Sequence, residues 1–424
     1  MSQDVAMNGG GKNRRASDMG SAAAMGMPMS RAALVLLLGL IAGLIWVPSL
    51  LAQPTGSPTG RETGVLPALN FDSDEGFGYG VIAEIYEYGD GDVRPYVWTV
   101  QPTVFLTTEG RRDFTLFVDA PELRDGWRLS AFLGREKQIA TPYYGPGNAS
   151  DYDPALESEE GPDPFYYRFG RTQNSVRVDG QRSVGARLRM LLGLGVVRTS
   201  LVTVPDGEGT TLFADTHGNE VDPTWANYGR LGLVWDSRDR ETGTTRGVWT
   251  EALVQAVPSA LGAEESYLRW TFADRRYFPL GSRVVLAYRV LLQHVTPGAP
   301  DHELFTVQTS FKQQEGIGGA KTVRGLLKNR LLGRGALVWN TELRWRAADF
   351  RLLGRSFHTV LSAFVDQGRV WEDGLVLGEV LSDLHRGWGG GLRLGMGENF
   401  TVAIDAATSD ETGLPVYIGL GYLF

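Results

Sequence analysis

Ala336-Leu337-Val338-Trp339-Asn340-Thr341-Glu342-Leu343-Arg344 places Leu337, Trp339, Thr341 and Leu343 at every second position, with Asn340, Glu342 and Arg344 between them. A strict period of two marks a strand with one face against apolar surroundings and the other against polar ones. Just upstream runs the glycine-rich segment Gly318-Gly319-Ala320-Lys321-Thr322-Val323-Arg324-Gly325-Leu326. Glycine lets a backbone fold back tightly, and a guanidinium fork grips a carboxylate through two hydrogen bonds. A loop arginine followed by an inward carboxylate on the next strand therefore implies a loop tucked inside a barrel and pinned there by charge.

The same alternation recurs along the C-terminal half. Leu268, Trp270 and Phe272 alternate with Arg269, Thr271 and Ala273, and Val284, Leu286, Tyr288, Val290 and Leu292 with Arg283, Ala287, Arg289 and Gln293. Phe400, Val402 and Ile404 alternate with Thr401, Ala403 and Asp405. Between Gly78 and Phe424 the turn residues separate about sixteen such segments. A soluble sandwich also alternates, apolar inward and polar outward. Three features favour a transmembrane antiparallel β-barrel instead. Several apolar faces are long enough for the roughly 9–11 residue tilted strand that crosses a bilayer. Trp249, Trp270, Tyr277, Trp339, Trp345 and Trp371 are read as interfacial girdle residues. The third feature is the N-terminus, where Arg31 precedes an apolar run from Ala32 to Trp46 and Leu50-Leu51-Ala52 offers a small residue for cleavage. At about 15 residues the run is short for a spanning helix, which needs about 20, and fits a secretory signal.

The expected organisation is a signal peptide and preceding segment over 1–52, a Pro- and Gly-rich linker over 53–70, and the barrel over 71–424. Composition narrows the function classes. With a net charge of −8 and no basic stripe, the chain is not expected to bind nucleic acid. Cys 0 removes disulfides and thiolate metal sites, and His 5 leaves little for metal or histidine chemistry. His294, His302 and His358 have no serine motif placed to use them, so no catalytic residue, cofactor or metal site is expected and the chain is not read as an enzyme. The acidic run Asp151, Asp153, Glu157, Glu159, Glu160 and Asp163 matches no calcium-loop spacing and reads as a solvated loop. Arg187, Arg189, Arg269, Arg283, Arg289 and Arg393 fall on the polar side of their strands. They are expected to pair with luminal acids such as Glu342 and Asp405 rather than line an open pore.

The chain ends Tyr417-Ile418-Gly419-Leu420-Gly421-Tyr422-Leu423-Phe424, with Ile418, Leu420, Tyr422 and Phe424 sharing one face. A terminal strand of this kind would be a sticky edge in a soluble protein and is a closing strand in a barrel. With the loop, it makes the chain resemble the BamA/TamA outer-membrane assembly superfamily, also called bacterial surface antigen proteins. Gly419, Tyr422 and Phe424 match that family's terminal signal, and Tyr417 stands where a more polar residue is usual. Val323-Arg324-Gly325-Leu326 is similar to its sixth-extracellular-loop motif, with Leu326 in place of an aromatic. Tyr143 to Asn148 resembles a Gly-x-Gly-Asn turn, and Leu233 to Asp239 followed by Arg246-Gly247 resembles a mid-barrel hairpin.

The resemblance implies that Arg324 contacts acidic side chains on the next two strands, by similarity Glu342 and Asp366. It also implies an outer-membrane location among lipids, and a function aiding insertion or translocation of client β-barrel or secreted proteins. A weakly paired seam between the first and last strands would template the client, and Gly76, Gly78 and Gly80 near the first strand suit a soft seam. The family's periplasmic POTRA modules are not expected in the short region before the barrel, which leaves room for a separate periplasmic partner. The alternative is a passive channel or structural barrel without assembly activity.

Overall fold

A computed structural model describes residues 59–424 except 73–75, 109, 158–163, 206, 208, 353–354 and 398–399. The expected signal peptide and the first part of the expected linker lie outside the described residues. The main sheet has seventeen strands, one of them the two-residue stub Thr224–Trp225. The other sixteen are β1 (Arg61–Asp72), β2 (Gly76–Glu87), β3 (Trp98–Thr107), β4 (Arg112–Arg124), β5 (Trp127–Pro142), β6 (Arg168–Ser183), β7 (Leu188–Val202) and β8 (Tyr228–Asp236), followed by β9 (Gly247–Val257), β10 (Tyr267–Pro279), β11 (Val284–Val295), β12 (Gly335–Leu352), β13 (Arg355–Trp371), β14 (His385–Met396), β15 (Phe400–Ser409) and β16 (Val416–Leu420). Each pairs antiparallel with the next in chain order, an up-and-down meander. β1 comes round beside β16, which makes the meander a barrel. Among the described residues, no helix is long and apolar enough to cross a membrane.

The first strand begins earlier than the sequence reading placed it. Arg61–Asp72 belongs to β1 and not to a linker, paired residue for residue with β2 from Arg61↔Glu87 to Asp72↔Gly76. Pro67 and Gly64 made this stretch look like a linker. Proline cannot donate to a ladder, but an edge strand tolerates it. As a result, Gly76 opens β2, which also contains Gly78 and Gly80.

Polarity is inverted relative to a soluble protein. On β7, Met190, Leu192, Leu194 and Val196 face outward, Leu192 and Leu194 more than 60% exposed at 63% and 66%. The inward face carries the charge: Arg128, Asp179, Arg230, Glu251, Arg269, Arg289, Glu342, Asp366, Arg393 and Asp405 are all buried. Exposed aliphatic rows around a charged interior have no stable solution in water but fit lipid, where only a closed set of strands satisfies the backbone.

The aromatics divide between the two faces. Trp270 and Trp345 are exposed on the outer face, as expected of girdle residues, but Trp249, Tyr277 and Trp371 are buried. Trp249 lies beneath three guanidiniums, with Arg238 4.1 Å from its ring centre and Arg275 and Arg189 at 5.6 Å and 5.8 Å. An inward tryptophan has the same spacing as an outward one when its neighbours are arginines rather than aliphatics.

Connections at one end are short turns such as 184–187 and 280–283, whereas 143–167, 203–227 and 296–334 at the other end are long. Arg187 and Arg283 are exposed in the short turns and do not belong to the lumen. Placing a charge on the outer face at mid-strand should cost about 2–4 kcal/mol in lipid, and near a rim about 0–1 kcal/mol. Leu194→Arg is therefore expected to lower the urea midpoint of the barrel refolded in vesicles, and Val184→Arg in the adjacent turn to leave it nearly unchanged. Equal effects of the two would contradict the assignment of the lipid face.

Candidate functional site

The long connection 296–334 folds back into the lumen and is held by side chains from around the wall. Arg171 of β6 meets Glu315 at 2.8 Å, and Arg230 of β8 donates to Gln308 Oε1 and the Thr309 carbonyl at 3.1 Å and 3.0 Å. Glu251 of β9 accepts from the Ser310 N–H at 2.9 Å. Arg269 of β10 donates to the Glu303 carbonyl at 2.6 Å, and Arg289 of β11 to the Lys321 carbonyl at 3.0 Å. Phe311 packs edge-on against Phe117 of β4 with centroids 5.1 Å apart, and Lys312 Nζ donates to Gln101 of β3 at 3.1 Å. A loop cannot be buried unless its backbone polar groups are answered, and here charged wall residues answer them.

Arg324 sits at the centre, with Glu342 and Asp366 against it, and all three are fully buried. Its guanidinium forks onto Asp366 of β13, Nε to Oδ2 at 2.7 Å and Nη2 to Oδ1 at 3.1 Å. The Arg324 backbone N–H donates to the same Oδ2 at 3.1 Å. Nη1 lies 2.8 Å from Glu342 Oε1 of β12, an ion pair without hydrogen-bond alignment, and donates to Asp405 Oδ2 of β15 at 3.1 Å. Phe364 of β13 closes one face of the guanidinium, with its ring centre 3.4 Å away.

Two further arginines balance the three acids. Arg344 Nε donates to Glu342 Oε2 at 2.8 Å, and Arg393 Nη1 to Asp405 Oδ1 at 2.6 Å. Three cations and three anions make a neutral network, the condition under which buried charge is tolerated. The family resemblance implies contact of Arg324 with Glu342 and Asp366, and the structure places the three side chains together. Asp405 is expected from the sequence as a luminal acid, and the structure adds it as a third partner of Arg324. Asp405 lies 81 residues from Arg324, and the alternation of β15 fixes its face but not its neighbour across the lumen.

The motif's other positions are seated by packing. Val323 and Leu326 are buried in an apolar cluster with Ile317, Leu331, Val338 and Val370, so Leu326 fills aliphatic space where the family pattern has an aromatic. Gly325 has φ +96°, a conformation that other residues rarely hold, and a Cβ there would lie 2.6 Å from the Thr408 carbonyl oxygen. Its N–H donates to Tyr417 Oη at 3.2 Å, and its carbonyl accepts from the hydroxyls of Ser409, at 2.7 Å, and Thr412. Tyr417, the departure in the terminal signal, thus ties the loop to the closing strand.

That strand differs from its expected form. β16 ends at Leu420, and Gly421 at φ +78° turns the last three residues into the lumen. Gly419 lies in the paired part opposite Ala403, whereas Tyr422 and Phe424 leave the strand for a group of luminal arginines. Period two predicted an extended octet, but a glycine free to adopt positive φ and a cationic lumen beside it favour the turn.

The two remaining motif segments close the barrel ends. Asn148 donates to the Asp383 carbonyl at 2.8 Å and accepts from the Val370 N–H at 3.0 Å, which pins the 143–167 connection across the long-loop mouth. At the other end Asp239 accepts from the Thr245 N–H at 3.0 Å, shaping the 237–246 turn, and Glu241 of that turn pairs with Arg128 at 2.8 Å. Among the described residues no cluster of His, Asp and Glu is placed to hold a metal ion. Glu159, Glu160 and Asp163 of the acidic run lie outside the described residues.

Replacing Arg324 by Ala leaves three buried carboxylates short of a partner, a loss of about 3–5 kcal/mol by the cost of breaking a buried pair. We expect a lower temperature for loss of the compact band in semi-native electrophoresis. Adding Asp366→Asn to Arg324→Ala should restore part of it, because one stranded charge is removed. Additive losses would mean that the two groups do not interact. A pH effect is expected from the same loop. Burial pulls the His302 imidazole from 6.5 down to about 4, and Thr224 Oγ1 lies 2.9 Å from its Nε2. The unfolded chain then binds a proton below pH 6.5 that the folded chain refuses until about pH 4, so stability rises with pH across this window and is lost on acidification. His302→Gln should flatten the unfolding midpoint between those pH values, and an unchanged slope would rule out His302 as its source.

Comparison with known proteins agrees with this geometry. The model of the Omp85 superfamily domain matches residues 108–424. Among solved structures the chain is similar to BamA from Haemophilus ducreyi lacking POTRA domains 1-3, with 14% identity, 86% of this chain and 70% of that chain covered, and a TM-score of 0.52. It is also similar to CdiB from Escherichia coli, with 13% identity, 88% of this chain and 64% of that chain covered, and a TM-score of 0.52. At these identities the likeness is one of fold. No curated protein matches the chain.

Proposed function

We propose that this chain, which belongs to the Omp85 superfamily, is a non-enzymatic outer-membrane barrel that inserts or translocates other proteins at the seam between β1 and β16. The observation that carries this reading is a mismatch of strand lengths. β1 runs twelve residues and β16 only five, so much of the β1 edge has no strand long enough to cover it. The ladder of β15 and β16 is equally short, from Val402↔Leu420 to Ala406↔Val416, whereas long strands share longer ones; that of β7 and β8, for example, runs from Leu188↔Trp235 to Gly195↔Tyr228. An uncovered edge is a template for strand addition, and main-chain hydrogen bonds would hold an incoming client strand whatever its side chains.

The filled lumen disfavours a passive channel. Where the loop meets Gln173, Tyr228 and Gln255, the remaining space is about 10 Å³, scarcely room for one water. Clients would then leave sideways, through the seam and toward lipid. By the usual asymmetry of such barrels, the short turns face the periplasm and the long loops the exterior.

Depleting the protein and profiling the outer-membrane proteome tests the proposal. Selective loss of other β-barrel or secreted proteins is the expected result. Unchanged composition with altered permeability to small solutes would overturn it in favour of a channel.

A further inference from the structure

Inside the barrel, Arg344 of β12 touches both Tyr422 and Phe424 of the terminal segment. Its guanidinium carbon lies 4.8 Å from the Tyr422 ring centre, 4.9 Å from that of Phe424 and 5.7 Å from that of Tyr277 on β10. Its Nη2 donates to the Phe424 carbonyl oxygen at 3.1 Å. Support comes from around the tail. Arg289 stands 5.5 Å from the Phe424 ring and Arg393 5.8 Å from the Tyr422 ring. The Tyr277 and Phe424 rings are 6.3 Å apart, and a Cβ at Gly243, in the 237–246 turn, would touch the Tyr422 ring at 3.4 Å. Arg344 is itself oriented by Glu342, the carboxylate that Arg324 also engages.

We propose that Arg344 is a positioning residue for the seam. It binds the terminal aromatic residues in the lumen, keeps β16 short and so leaves the β1 edge open. Its hold on the tail depends on the loop cluster through the shared Glu342. This deepens the seam reading and rests on it.

The sequence encodes a competing state. Ile418, Leu420, Tyr422 and Phe424 alternate as a strand requires, and the Gly421 N–H still donates to Thr401 of β15 at 2.8 Å, as the next rung of the ladder would. With Gly421 extended, the tail would continue β16 alongside the start of β1 and cover the edge. The two arrangements differ by one glycine dihedral and by the cation–π and hydrogen-bond contacts of Arg344, contacts that are strongest in a desolvated setting. A change that withdraws Glu342 from Arg344 therefore favours the covered edge, and an intact loop cluster favours the open one.

The chain has no cysteine, which makes the test direct. Gly243→Cys and Tyr422→Cys are introduced together, and the purified full-length barrel is treated with a short bismaleimide without any client. Only the band that stays compact in semi-native electrophoresis is scored. High crosslinking is expected with Arg344 present, a fall of at least fivefold in Arg344→Gln, and partial recovery in Arg344→Lys, which restores the charge without the fork. Arg324→Ala should give an intermediate fall through Glu342. If Arg344→Gln yields no compact band, Phe424→Ala replaces it, because this change removes a ring that Arg344 holds and leaves every side-chain charge of the cluster in place. Crosslinking unchanged in the compact form of either variant would overturn the proposal. Because no client is present, such a result would leave the insertion reading to be judged by the proteome profile alone.

Discussion

One guanidinium, that of Arg324, is shared by carboxylates from β12, β13 and β15, and the filled interior is organised around it. A charge this deep is costly unless its partners are close and already oriented. The wall meets that condition by supplying inward acids from three strands and second arginines, Arg344 and Arg393, to orient Glu342 and Asp405. The aromatic face of Phe364 excludes water from one side, which strengthens the remaining electrostatics. Such a cluster contributes less to net stability than its number of contacts suggests. What it specifies is position: the loop can sit at one depth and in one rotation, because any other leaves formal charges unanswered.

Most of the fold was legible because a barrel in lipid writes its two faces into alternate residues. Leu337 to Trp345 and Val284 to Leu292 state their inward and outward sides without any structure. The expected contacts of Arg324 with Glu342 and Asp366 come from the resembled loop motif, with strand phase putting Glu342 on the lumen face and deciding less for Asp366; in the structure both carboxylates lie against the Arg324 guanidinium. Three things were not legible. Arg61–Asp72 was hidden by Pro67, since composition cannot distinguish an edge strand from a linker. Trp249, Tyr277 and Trp371 carry no mark separating an inward aromatic from a girdle residue, because both obey period two and only cross-strand arginines distinguish them. The turn at Gly421 depended on partners from β10 and β12, far along the chain and invisible to any local pattern.

Long-range contacts of this kind also explain why the loop acts on more than its own neighbourhood. Segment 296–334 touches β3 through Lys312 and β4 through Phe311, and β12, β13 and β15 through Arg324. It is therefore a brace across the diameter of the barrel and not a plug attached to one side. Tyr417 extends the brace to β16 by accepting the Gly325 N–H.

From this follows where the barrel can yield. Opening a sheet between two strands costs the hydrogen bonds of their shared ladder together with any contacts that span the gap. Between β12 and β13 the register runs from Gly335↔Trp371 to Leu352↔Arg355, and the brace adds charged bonds to both strands. Between β1 and β16 the available ladder is limited by the five residues of β16, and the loop meets this joint from the β16 side, through Tyr417. The weakest joint is therefore fixed by the same charge network that makes the rest of the wall stiff. On the proposed reading, a stiff wall would confine movement to that one joint, so that opening would expose one strand edge in one place instead of loosening the barrel generally.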